Sequence, residues 1–582
     1  MKSQEPPSPF LTSINNRDDF NSLINPDDDD DYERNNQILR SYLPFDFETN
    51  IKQQRVLAEH CFNKAGGFGR YQWFIWFFMI LGVSSSALIN QCMFLLQQPP
   101  KYECQDDFTL QWKSCNQSAF CSSENKPRED VKYRVDYSVK ESLDNWFTTL
   151  NLECLSDTEV DLFHHCFIIG LVIGTLVFPR VGDIAGRKKT YMIGLAIHIL
   201  LSATMLILRE PKLFYAIIFL MGIEQPARFL IGYIYLSEMC QEKHRPLVLS
   251  LAFFVITQSV TFACLYFSFL SKHWIPLELI GVIITVIAFI GGVWIPESPR
   301  YLISKGQYYD AYRVFNSIAR VNGKRFSMIQ FKLSSKKKNQ DYMNQVPDPN
   351  MWISENQENL GGKQSRRGTD AVMQTEGAEI LETQNNDPDF QIKNKHAVRF
   401  TDVFKSNSQR LNFISLLICW CVNLFNASVL QDSLNIIERD TFVDYFITAN
   451  AEALSLILSA FIYLARGGQR VTTYAFLAQG SFAALLIGFT DNDQVIKIFI
   501  ILGTFANGCA LNCIYLMTFG IFHTSFICIT FGVMQLCGRL VAIAAPFAID
   551  LPLPYSIIIF IGMSFTAAIV SQLFIREPYR KI

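Results

Sequence analysis

Two side chains in this sequence carry charge where charge is expensive. Arg539 and Glu452 each fall near the middle of a long apolar stretch. An ionised side chain at the centre of a membrane helix costs roughly 2.5–3.5 kcal/mol on insertion scales, so each needs a counter-charge or a wet cavity. Either they pair with each other or they face such a cavity. In the second case the planar guanidinium of Arg539 can hold a carboxylate or sulfate through two parallel hydrogen bonds. Glu224 and Arg228 lie one helical turn apart and can satisfy each other on one face. Rings and amides in other apolar stretches, Trp420, Tyr233, Asn423 and Asn90 among them, are of the kind that line cavities for organic ions. The chemistry on offer is recognition by charge and shape. No His or Cys set has metal-ligand spacing and no Ser or Cys nucleophile motif is present, so no metal, no cofactor and no enzyme activity is expected.

Twelve apolar stretches position these residues: 73–96, 160–179, 190–208, 212–237, 247–270, 275–295, 411–432, 441–465, 471–490, 495–520, 525–549 and 555–575. A bilayer core roughly 30 Å thick takes about 20 apolar residues per helix. Lipid gives backbone groups no partner, so the spans must be helices. The expected fold is an all-α membrane protein with twelve transmembrane helices in two six-helix halves, 51–300 and 411–582. Two matched membrane halves are the usual build of a transporter. The lipid bilayer is then one partner, and a formal net charge of −2 gives no case for nucleic acid.

Arg187, Lys188 and Lys189, and then Lys243 and Arg245, lie in short loops and should face the cytosol. Both termini then lie inside, and the 97–159 loop faces outward. That loop holds Cys104, Cys115, Cys121 and Cys154, which allow three pairings, and an Asn116-Gln117-Ser118 glycosylation sequon. Both signals fit a secretory route to the plasma membrane or a related one. No cleavable signal peptide is read at the start. Residues 1–50, with the acidic run Asp27 to Asp31, read as a disordered cytosolic tail. The 301–410 insert should be cytosolic, helical where Ala311, Val314, Phe315 and Ile318 share a face, and disordered over 325–395.

Short motifs at the span ends carry a family resemblance. Gly182-Asp183-Ile184-Ala185-Gly186-Arg187-Lys188 follows the second span, and Tyr235-Leu236-Ser237-Glu238 with Arg245 follows the fourth. Pro296-Glu297-Ser298-Pro299-Arg300-Tyr301-Leu302 follows the sixth. The last is similar to a heptad shared by sugar porters and organic ion transporters. The long outer cysteine loop, Gly67-Phe68-Gly69-Arg70-Tyr71-Gln72, Leu152-Glu153-Cys154 and Phe400-Thr401-Asp402-Val403-Phe404 resemble the second branch. Over roughly 45–575 the chain looks like a divergent organic cation/anion transporter of the solute carrier 22 type, in the major facilitator superfamily. It departs from the pattern at Pro179 and Ile184, at Gly467-Gly468-Gln469-Arg470, and at Thr518 and Ser525, where the family has Glu and Arg.

The resemblance implies a major facilitator fold and alternating access. Asp183, Arg187, Glu238, Arg245, Glu297 and Arg300 are then expected to form a gate at the inner face. Arg539, seven residues before Pro546, stands where anion-carrying members place a basic residue. The expected function is a monomeric secondary transporter of small organic ions, anions before cations. The alternatives are a transporter-like sensor or scaffold and a sugar or neutral-solute porter.

Overall fold

The computed structural model describes residues 47–326 and 404–577, apart from 107–109, 123–126, 129, 405, 437–440, 490–492 and 553. The acidic run at Asp27, most of the polar insert and Phe400 to Val403 lie outside the described residues. The chain divides into two compact units. In the smaller, helices Phe47–Lys64 and Tyr308–Val321 come from either side of the larger unit's first segment. Phe62 meets Phe315 edge-on at 5.1 Å, and Ala311, Val314, Phe315 and Ile318 are all buried.

The larger unit is a helix bundle. Its twelve long helices are α1 Arg70–Ser84, α2 Asp157–Ala185, α3 Arg187–Ile207, α4 Pro211–Glu238, α5 Arg245–Leu265, α6 Trp274–Trp294, α7 Asn407–Ile436, α8 Thr441–Arg466, α9 Gly468–Leu486, α10 Asp493–Ile521, α11 Ile527–Ala542 and α12 Tyr555–Phe574. Among the described residues, helices at eleven of the twelve expected spans are long and apolar enough to cross a membrane, and the ninth, Gly468–Leu486, is not. α9 opens on Gly468-Gln469-Arg470 and carries Thr472, Thr473 and Gln479, and these three are buried among neighbouring helices. Its polarity is turned inward, which hydropathy cannot register.

α1 breaks after Ser84 and resumes as a single turn, Ala87–Asn90. The hydroxyls of Ser84 and Ser85 bond back to Ile80 and Gly82 carbonyls at 2.7 and 3.1 Å, which loosens the ladder there. Packing repeats between the halves. α1–α6, α3–α4 and α3–α6 contacts recur as α7–α12, α9–α10 and α9–α12, while α2–α11 and α5–α8 join the halves.

The repeat is clearest at two helix starts. Gly186 precedes α3 with φ +108°, and Gly467 precedes α9 with φ +86°. The Glu297 carboxylate, three residues past α6, accepts the Arg187 and Lys188 N–H groups at 3.1 and 3.2 Å. Glu577, three residues past α12, accepts the Gln469 N–H at 2.8 Å. A carboxylate at a helix N-terminus satisfies orphan donors and opposes the positive end of the dipole. A Cβ on Gly186 would stand 2.3 Å from Glu297, so only glycine fits.

The outer loop is not wholly irregular. Three short strands, β1 Tyr102–Gln105, β2 Trp112–Cys115 and β3 Tyr133–Val135, form an antiparallel sheet in the order β2-β1-β3. The expectation of helices alone missed them, because strands of three or four residues carry too little alternation to read. Tyr102, Phe120 and Tyr133 pack together, with Phe120 and Tyr133 stacked at 4.0 Å. Burial holds the Tyr102 phenol above its ordinary range, and the Glu153 charge adds to this. Lys272, just before α6, donates to the Tyr137 and Val139 carbonyls and ties this lobe to the bundle. Asn116 is exposed ahead of the turn Gln117–Phe120.

The pairing left open by the sequence is Cys104 with Cys115 and Cys121 with Cys154. The closed loops span 11 and 33 residues, so each bond is expected to restrain the unfolded lobe by roughly 3 kcal/mol on chain-entropy arguments. Nonreducing peptide mapping of the purified protein should recover these two linked pairs. Linkage of Cys104 to Cys121 or Cys154, or alkylation of all four without reduction, would contradict it.

Candidate functional site

Four of the six expected gate residues meet in one buried cluster. Arg187 is fully buried at the start of α3. Its Nη2 lies 3.1 Å from Asp183 Oδ1 and its Nε 3.2 Å from Glu238 Oε1. Its Nη1 donates to the Gly182 carbonyl at 2.9 Å, and the guanidinium sits 4.5 Å from the centre of the Tyr301 ring. Glu297 closes the group through the α3 N–H bonds already described. Burial pushes its carboxyl above the ordinary range, against the pull of the Ser298 and Lys188 N–H groups and of Arg187.

The cluster reaches across to the other half, and it does so through backbone. Arg187 Nη2 also donates to the Thr524 carbonyl. Asp183 Oδ2 accepts the Ile529 N–H at 3.0 Å, in the first turn of α11. Beside them, Arg245 donates to the Ser237 carbonyl at 3.2 Å and to the Phe519 carbonyl of α10 at 3.4 Å. Arg300 stands apart from the Arg187 group. It donates to the Cys240 carbonyl at 3.2 Å and lies 3.8 Å from Glu242. In the second half the corresponding places hold uncharged groups: Thr518 bonds back to the Ile514 carbonyl, and Gln469 bonds to the Ser571 and Gln572 carbonyls. Arg470 is exposed.

Above this end the interface is aromatic. Tyr515 of α10 touches Trp420 of α7, Phe253 of α5 and Tyr233 of α4, with ring centres 4.6, 4.8 and 5.5 Å away. Phe531 of α11 joins Trp420 and Phe519 at 5.5 and 4.7 Å. Trp420 and Tyr233, read separately from the sequence, thus belong to one group through Tyr515. Nothing in the sequence singled Tyr515 out among 22 tyrosines.

Arg539 lies on α11 one turn beyond Gln535, which donates to the Tyr515 hydroxyl. Its charge acts on Tyr515. The described residues form no ion pair within 4 Å between Arg539 and Glu452. Glu452 sits on α8 against Gly508 of α10, with no cation paired to it among the described residues. Three buried polar atoms here have no hydrogen-bond partner among the described residues: Tyr233 Oη, Trp420 Nε1 and Arg539 Nε. A buried polar group left unpaired costs about 1–3 kcal/mol, which marks a place where polar groups of a ligand would be welcome.

The amides went elsewhere. Asn423 donates to the Asn507 carbonyl and side chain at 3.1 and 3.0 Å, inside the second half. Asn512 crosses between halves to Ser250, donating at 2.8 Å. Asn90 is half-buried at the end of its short turn. The outer end of the interface is closed too. Phe94 stacks on Tyr445 at 3.7 Å, and Asn450 bonds Thr261 at 3.1 Å.

Residues 108–357 match the sugar (and other) transporter family. Human solute carrier family 22 member 2 is 30% identical over 181 residues, covering 30% of this chain and 32% of that protein. Mouse solute carrier family 22 member 21 is 21% identical over 439 residues, covering 73% and 68%. The chain thus spans about a third of the length of the curated relatives that match it first. Among solved structures, a proton:xylose symporter of the major facilitator superfamily, XylE, bound to 6-bromo-6-deoxy-D-glucose, superposes with a TM-score of 0.52 at 12% identity, covering 87% of this chain and 95% of that one. This chain is therefore a multi-pass membrane protein with the major facilitator fold, similar over part of its length to solute carrier 22 transporters.

Proposed function

We propose that the protein is a secondary transporter of small organic ions that works by alternating access. The observation that carries this reading is a set of three unpaired buried polar atoms, Tyr233 Oη, Trp420 Nε1 and Arg539 Nε, at an interface bridged on both its inner and outer sides. Apolar walls with a few convergent polar groups suit an amphiphilic ion. Arg539 supplies a positive fork without a counter-ion among the described residues, which favours an anionic head. Glu452 supports a second reading. It too has no paired cation among the described residues, and a zwitterion could use both charges.

On this reading Asp183, Arg187, Glu238 and Glu297 form the inner gate, with Arg245 bracing α10. They must release the Thr524 carbonyl and Ile529 N–H when the site opens inward. Such a clasp is a two-state element between packed halves.

Uptake into proteoliposomes tests the reading. The probes are labelled benzoate, tetraethylammonium and glycine betaine, for anion, cation and zwitterion. Arg539→Ala should lose anion uptake, Arg539→Lys should keep part of it, and Arg539→Asp should shift preference toward tetraethylammonium. Wild-type anion uptake in Arg539→Ala would remove the case for an anion carrier. No uptake of any probe would favour the sensor or scaffold alternative.

The gate is tested by separating turnover from binding. Replacing Asp183 by Asn or Arg187 by Gln should slow turnover about tenfold or more, a shift of roughly 1.4 kcal/mol, with the probe's apparent affinity changed less than about threefold. Collapse of affinity with normal turnover would contradict gating.

A further inference from the structure

The first half holds another set of ionisable side chains, apart from the gate and the aromatic core, and its charges do not balance. Glu224 and Arg228 of α4 pair two-pronged, at 3.1 and 3.3 Å. Arg228 Nη1 also reaches the Gly82 carbonyl of α1 at 3.1 Å and the Ser85 hydroxyl at 3.4 Å. His198 of α3 places Nδ1 2.9 Å from Glu224 Oε1, and its Nε2 3.4 Å from the Ser202 hydroxyl. Glu278 of α6 is buried beside Ser202. All five side chains are at most 4% exposed. The other polar groups facing them are Tyr191, whose hydroxyl bonds the Met79 carbonyl, and Thr285, which bonds the Gly281 carbonyl. Among the described residues, α1, α3, α4 and α6 bring no further charge to this set.

With both carboxylates ionised and the imidazole neutral, the set carries one net negative charge away from water. An unbalanced buried charge costs several kcal/mol. One added proton removes the imbalance. On Glu278 it neutralises that carboxyl, while Ser202 donates to His198 Nε2 and His198 Nδ1–H donates to the Glu224 carboxylate held by Arg228. The same proton can sit on His198 instead, giving an imidazolium between Glu224 and Ser202 with Glu278 ionised beside them.

The second half shows that structure alone does not require these charges. The matching helices α7, α9, α10 and α12 are joined by Asn426 to Gln479 at 3.0 Å, Gln479 to Asn507 at 3.1 Å, Asn423 to Asn507 at 3.0 Å and Asn426 to Ser564 at 3.0 Å. Uncharged amides and a hydroxyl hold that set of four helices. Carboxylates and an imidazole can do one thing amides cannot, which is to change charge. Glu278 lies four residues from the outer end of α6, about 6 Å along the axis, so the set runs inward from the outer side.

We propose that Glu278, Ser202, His198 and Glu224 form a proton-binding site that takes one exchangeable proton from the outer side. If transport is as proposed above, this proton is the coupling ion; that last step rests on the transport reading, and the site itself does not.

Infrared difference spectroscopy of the full-length protein in lipid nanodiscs tests the site without any substrate. Between about pH 5 and about pH 9, the wild type should show the carbonyl stretch of a protonated carboxylic acid, shifted in D2O and titrating as one proton. Glu278→Gln should abolish that band, and His198→Gln should move its midpoint. Glu452→Gln identifies any band from the lone carboxylate in the other half. Persistence of the band in Glu278→Gln, or an unmoved midpoint in His198→Gln, overturns the proposal. Where Glu278→Gln does not fold, Glu278→Asp should keep the band at a shifted frequency, and an unshifted band overturns it. In proteoliposomes, acid outside should raise the initial uptake of a transported probe about threefold or more in the wild type and not in Glu278→Gln. Gradient-insensitive wild-type uptake overturns coupling. Absence of uptake of all three probes overturns the transport reading, while the infrared result still decides the site.

Discussion

Arg187 is a fully buried cation whose bonds run to both halves of the bundle. Removing one partner from such a buried set costs roughly 3–5 kcal/mol, because the others are left charged and dry. That cost places several groups at once. Asp183 stands one turn earlier on α2, Glu238 arrives at the end of α4, and Gly186 gives α3 the sharp entry that lets Glu297 reach its first N–H groups. On the far side the cluster grips the Thr524 carbonyl and the Ile529 N–H, which are backbone groups and do not depend on which side chains the second half supplies.

This one-sided grip accounts for the worn signatures of the second half. Thr518 and Ser525 replace charged residues of the family pattern without dissolving the inner contact, because the first half provides the charges and the second half the backbone. The scaffold beneath is retained. Glu577 and Gly467 reproduce at α9 what Glu297 and Gly186 do at α3. The two halves thus share a frame and differ in what titrates: amides fill the second half where His198, Glu224, Arg228 and Glu278 fill the first.

Most spans were legible because lipid imposes length and apolarity on each helix separately. α9 was read among them as 471–490, although buried Thr472, Thr473 and Gln479 make it less apolar than the rest. Asp183, Arg187, Glu238 and Glu297 were legible as motif residues, but the grip of their cluster on backbone was not, since carbonyls and N–H groups leave no mark in a sequence. Trp420 and Tyr233 could be named and their meeting through Tyr515 could not, because one aromatic among many has no distinguishing spacing. Glu577 had a usable signal, the same three-residue offset from its helix as Glu297. Glu278 and His198 lie inside apolar spans but were not singled out from the sequence, and only the fold brings His198 to Glu224. The Arg539–Glu452 question needed three-dimensional contacts, and there the two remain separate.

The central claim is that the Arg187 cluster holds the inner end of the interface shut. Cys528, the second residue of α11, is fully buried, and a Cβ on Gly182 would lie 3.5 Å from its sulfur. Its alkylation by a membrane-impermeant maleimide from the cytosolic side, followed by peptide mass spectrometry, reports opening at that spot. The account predicts slow labelling of the wild type and labelling faster by about tenfold or more in Arg187→Gln, the factor expected for a shift of roughly 1.4 kcal/mol. Equal labelling rates at Cys528 in the two proteins would contradict it.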